Sequence, residues 1–129
     1  MINPYHKYQE SAVQTATPAQ LILMLYDGAI KFVKQAIIEI EQKRYVDANT
    51  YFLKCQSIIH ELVASLDFNI EISKNLGSIY EYLLHLLIQA NIKKDISKAE
   101  EALSHMTELR DAWRQAIKQN GGSQAIGVN

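Results

Sequence analysis

Residues 17–43, TPAQLILMLYDGAIKFVKQAIIEIEQK, decide the fold. Thr17, Pro18 and Gln20 form a helix start: a threonine cap, a proline at the first position, where no amide donor is missed, and a glutamine three residues after the cap. From there, at 100° per residue, Leu21, Ile22, Leu25, Ala29, Phe32, Val33, Ala36 and Ile40 share one stripe. Leu23, Tyr26, Ile30 and Ile37 continue the apolar arc around about half the cylinder, against about 100° for a helix with one buried face. The spacing predicts a helix to about Lys43 with two apolar neighbours.

Outward from this stretch the period recurs three times. A connection near Arg44 leads to a helix over Val46 to Leu66, with Ala48, Tyr51, Phe52, Cys55, Ile58, Ile59, Leu62 and Val63 inward. Asp67 and Asn69 are cap candidates for a third helix ending near Lys93, and its apolar arc is broader still. Asp95 caps a fourth helix running to about Gln119, where Asn120, Gly121 and Gly122 stop it. That helix has one clean stripe through Ala99, Ala102, Met106, Leu109, Trp113 and Ile117. The expected fold is therefore all-α: an antiparallel up-down four-helix bundle over residues 17–119, because short links force neighbours to alternate in direction. Residues 1–16 read as an N-terminal arm with room for a short extra helix, and 120–129 as a disordered tail.

Composition narrows function by exclusion. The chain has 129 residues, 48% of them hydrophobic, enough for one core. Thirteen basic against 14 acidic residues give a net charge of −1, which argues against nucleic acid as a partner. The longest apolar run, Leu21 to Tyr26, is far short of the ~18 residues of a membrane span, and the polar start has no signal-peptide core, so the expectation is a cytoplasmic protein without membrane insertion. The single Cys55 sits on an apolar face and reads as a small buried hydrophobe. Glu81 with His85 and Glu101 with His105 are each four apart, not three as in di-metal bundles, so no metal, cofactor or catalytic residue is expected. Gly28, in mid-helix, implies close approach of another chain segment, and Arg110 stands where it can meet an aromatic ring or an acidic group.

Several motifs together resemble the flagellin export chaperones, the FliS family. These are Asn3-Pro4-Tyr5 followed by Tyr8, then Thr15-Ala16-Thr17-Pro18, then Leu21 through Phe32. Ser65-Leu66-Asp67, Ala90-Asn91 and Leu109-Arg110-Asp111-Ala112-Trp113 complete the set. The resemblance implies a chaperone that holds the disordered C-terminal segment of flagellin, blocks premature polymerisation and presents the subunit to components of the flagellar type III export apparatus. It also implies that Tyr5 and Tyr8 on the arm cap a binding groove. The groove itself is expected from Leu23, Tyr26 and Ile30 on the second face of the first helix, with Leu53, Tyr82, Leu84 and Ile88 on the next two. Two other classes compete: a self-associating bundle that buries the same surface in a homodimer, and histidine phosphotransfer through His60, His85 or His105.

Overall fold

The computed structural model describes residues 15–67, 69 and 71–120. They form α1 (Pro18–Glu41), α2 (Tyr45–Ala64), α3 (Glu71–Lys93) and α4 (Ile96–Asn120), with no strand among the described residues. Residues 1–14 of the arm, with Tyr5 and Tyr8, and all but the first residue of the expected tail lie outside the described residues.

Each boundary has a local cause. Thr17 caps α1 as expected: its hydroxyl accepts from the Gln20 amide at 3.2 Å while the Gln20 side chain accepts from the Thr17 amide at 3.0 Å. The helix stops at Glu41, two residues before the expected end, because Lys43 turns to a left-handed φ of 60°. The Lys43 amide then donates to the Ile40 carbonyl and the Arg44 amide to Glu39, closing a Schellman cap. Lys94, at φ 49°, ends α3 in the same way, with Asp95 donating to Ala90. Asp95 in turn accepts from the Lys98 amide at 3.4 Å and starts α4.

These tight turns make successive helices antiparallel, and side-chain contacts fix the pairs. On α1 and α2, Cys55 donates to the Ala29 carbonyl at 3.4 Å, and Phe32 stacks on Tyr51 at 6.1 Å. Between α2 and α3, Asn91 donates to Asn49 at 2.8 Å; between α1 and α4, Trp113 donates to the Ala19 carbonyl at 2.9 Å. The core positions then repeat at alternating spacings of three and four. They are Ala19, Ile22, Tyr26, Ala29, Val33, Ala36 and Ile40 on α1, and Ala48, Phe52, Cys55, Ile59, Leu62 and Leu66 along α2 and its end. Tyr80, Leu83, Leu87 and Ala90 on α3 and Ala99, Ala102 and Met106 on α4 follow the same rule. This is the knobs-into-holes register of a supercoiled bundle.

The register corrects the sequence reading of α1. Tyr26 and Ile30, expected on an outward second face, are only 1% and 4% exposed. Leu21, Leu25 and Phe32, expected on the core stripe, lie half-buried on its flank. The centre of the buried stripe lies about 50°, half a residue, further round than expected, since α1 is covered by α2 on one side and α4 on the other. Gly28 sits on the α2 side, where an added Cβ would meet Ile58 Cδ1 at 3.1 Å; the close neighbour is a side chain.

Candidate functional site: outward grooves on the bundle

With α1 covered, the excess apolar surface is found on α3 and its neighbours. The α2–α3 groove holds about 520 Å3 and is walled by His60 and Val63 on one side and Gly77 and Leu84 on the other. Leu53 lies seven residues, two turns, before His60, and Ile88 four after Leu84, so both continue the same walls. Two turns further, Val46 is 82% exposed, and one turn beyond Ile88, Ile92 is 70% exposed. The stripe Val46, Leu53, Leu84, Ile88 and Ile92 thus runs past the Asn49–Asn91 bond to the end of the bundle.

A second groove of about 500 Å3 lies between α3 and α4, lined by Ile79, Tyr82, His105, Glu108, Leu109 and Ala112. Tyr82 is held rigidly. Its hydroxyl donates to Glu101 at 2.5 Å, and its ring lies between His85, stacked at 6.4 Å, and His105, edge-on at 5.8 Å. Glu101 also pairs with His105 at 3.2 Å; these bonds hold its carboxyl below the usual range, and the Tyr82 phenol is raised by the same contact. A third groove, of about 530 Å3, separates α1 from α4 between Lys34, Ile37 and Ile38 and Glu100, Leu103 and Ser104.

The expected groove residues therefore separate. Leu53, Leu84 and Ile88 share the α2–α3 face, Tyr82 lies in the α3–α4 groove, and Leu23 is half-buried against the core. Tyr26 presents no face to solvent, and Ile30, 4% exposed, reaches the surface only in a hollow of about 380 Å3 on α1 beside Asp27, Lys34 and Ile38. The Tyr26 hydroxyl meets that of Tyr80 at 2.5 Å, and its ring packs at 6.4 Å from Trp113; burial raises both phenols. Sequence reading missed Val46 and Ile92 as outward apolar groups. The signal was present: each is a large hydrophobe off the three-four core spacing of its own helix.

The arrangement offers surfaces for a chain and little for chemistry. Among the described residues, no group of three His, Cys, Asp or Glu side chains is placed to hold a metal ion. Cys55 is buried, and burial pushes its thiol up to about 12. Arg110 pairs with Asp27 at 3.4 Å and Asp111 at 3.2 Å, so its role is acidic pairing between α4 and α1. No helix among the described residues is long and apolar enough to cross a membrane.

Comparison with known proteins places the chain in a family. The family model described as "Flagellar protein FliS" matches residues 1–120. A flagellar secretion chaperone FliS from Bacillus subtilis is 45% identical over 116 residues, 90% of this chain and 87% of that protein. Proteins of the same name from Salmonella typhimurium and Escherichia coli are 38% identical over 109 residues and 32% over 111. The first alignment covers 82% of this chain and 81% of that protein, the second 84% and 82%.

Proposed function

Since the chain belongs to the FliS family, it is a flagellar secretion chaperone, and we propose that its cargo is the C-terminal segment of flagellin, held in the cytoplasm along the outward grooves of α3. The family is one of chaperones rather than an enzyme class. The observation that supports this cargo is the exposed stripe of Val46, Leu53, Ile88 and Ile92, joined to the core's edge at Leu84, on a bundle whose buried core includes none of these exposed groups. A contiguous apolar surface on a folded domain marks an interaction site, and an amphipathic helix laid in a groove is the form of partner that fits two helical walls.

A disordered segment that folds as it binds loses about 2 to 5 kcal/mol to ordering, so a large covered area remains compatible with release. Covering those apolar turns of flagellin keeps them from other subunits, which is how such binding prevents premature polymerisation. Release then falls to components of the export apparatus. The arm acts in this reading as a competitor, Tyr5 and Tyr8 covering part of the groove until cargo displaces them.

Calorimetric titration of the full chain with the C-terminal segment of a flagellin, at several temperatures, tests the cargo. The expected result is a one-to-one complex with a large negative heat-capacity change, and tighter binding once residues 1–13 are removed. Absence of a complex, together with a mass that doubles with concentration, would replace the cargo by a second copy of the chain.

A further inference from the structure

The three grooves differ in charge. Lys34 faces Glu100 across the α1–α4 groove, and Lys74 and Glu81 both line the α2–α3 groove, so each carries both signs. Among the described residues, the α3–α4 groove has Glu108 as its only acidic or basic lining residue apart from His105. His105 is engaged with Glu101, which also accepts from Tyr82 and lies near Lys98. Glu108, two turns along α4 from Glu101, makes no hydrogen bond or ion pair among the described residues. Arg110 is turned toward α1 by Asp27 and does not reach back. An uncompensated carboxylate thus stands at the mouth of a groove whose other walls are Ile79, Tyr82, Leu109 and Ala112, with Ile79 and Tyr82 still 38% and 46% exposed.

We infer that the α3–α4 groove selects a basic amphipathic turn: apolar side chains fill the space over Tyr82 and Leu109 while a Lys or Arg three or four residues away pairs with Glu108. The inference deepens the cargo reading and rests on it for the source of that turn, which is the flagellin segment. The apolar walls exclude water from one side of the pair, so the cation is favoured and an acid at that position repelled. Glu108 sets the charge and the register of the bound segment, and the apolar stripe on α2–α3 supplies area without a preference of sign.

The test uses two synthetic amphipathic peptides of about 18 residues, five turns, with the same Leu/Ala face and either a Lys or a Glu row beside it. Both, and the flagellin segment, are titrated against the full chain and its Glu108→Gln, Glu108→Lys and Glu41→Lys variants at low and high salt. The Lys-row peptide is expected to bind about fivefold more tightly than the Glu-row peptide at low salt. That preference should vanish in Glu108→Gln, reverse in Glu108→Lys, and persist in Glu41→Lys, whose charge lies away from the groove. A ratio that ignores Glu108, or that Glu41→Lys moves equally, overturns the inference. Flagellin binding that is indifferent to Glu108→Lys also overturns it while leaving the cargo intact. Failure of flagellin to bind, with the Lys-row preference retained, removes the cargo and leaves the groove's selectivity standing.

Discussion

Lys43 and Lys94 show how single residues set the bundle's turns without announcing themselves. Both hold positive φ, where a Cβ is disfavoured and glycine is the usual occupant. No glycine marks either turn, so the end of α1 was expected at Lys43 and falls at Glu41. The second site has a compensating bond set: Lys94 Nζ reaches the Asn91 carbonyl at 2.6 Å and its side-chain oxygen at 2.7 Å. Lys43 has no such partner in the turn, and Lys43→Gly should raise stability by about 1 kcal/mol in urea unfolding; no change would mean the left-handed turn is unstrained. Cys55 is the other informative residue. Its thiol, raised to about 12 by burial, is neutral in the fold and free to ionise near 9 once unfolded. Its contribution is therefore complete below pH 9 and is lost as pH climbs from 9 toward 12, by up to about 1.4 kcal/mol per unit. The buried phenols of Tyr26 and Tyr80 add to the slope above their usual value of 10. Urea midpoints measured from pH 7 to 11 should stay level to 9 and then fall, whereas Cys55→Ala should remove the first part of the decline.

At the scale of the element, helix existence was legible and helix phase was not. The Thr17-Pro18-Gln20 start and the Asp95 cap are chemical signals tied to one residue each, and both are realised in hydrogen bonds. The arc of α1 is different, because a helix covered from two sides shows hydrophobes over half its surface and periodicity cannot say where the centre lies. The three-four spacing from Ala19 to Ile40 carries that information, and it puts Tyr26 at the centre. A phenol there needs a partner, and α3 supplies Tyr80 from across the core, so the Tyr26–Tyr80 bond pins the diagonal pair in register. Tyr26→Phe alone leaves a buried hydroxyl on Tyr80 and should cost about 1 to 3 kcal/mol, as should Tyr80→Phe. The double replacement removes both polar groups and should cost less than the sum of the two singles, by at least about 1 kcal/mol in a double-mutant cycle. Strict additivity would show that the hydroxyls do not depend on one another.

At the scale of the whole molecule, the fold separates the surface that stabilises from the surface that recognises. Small residues bring α1 and α2 close, with Ala29 and Ala36 buried on one helix and Ala48 and Cys55 on the other. Apart from Ile38 on α1, the large hydrophobes left outside lie on α2 and α3. Such positions lower solubility and add little to folding, so their retention is explained by what covers them. Leu53 and Ile88, 50% and 41% exposed, separate the two roles best. Leu53→Ser with Ile88→Ser removes half-exposed side chains that leave no internal cavity, so stability should change by no more than about 1 kcal/mol. In the proposed complex the same side chains would be covered, and each should then account for about 1 to 2 kcal/mol of binding. The double variant should then bind the flagellin segment at least about tenfold more weakly, with an unchanged urea midpoint and a smaller heat-capacity change on binding. Equal loss of stability and affinity would instead place these residues in the core's cooperative unit. Undiminished affinity would move the cargo off the α2–α3 stripe, to the α3–α4 groove over Ile79 and Tyr82 or to the α1–α4 groove beside Ile37, Ile38 and Leu103.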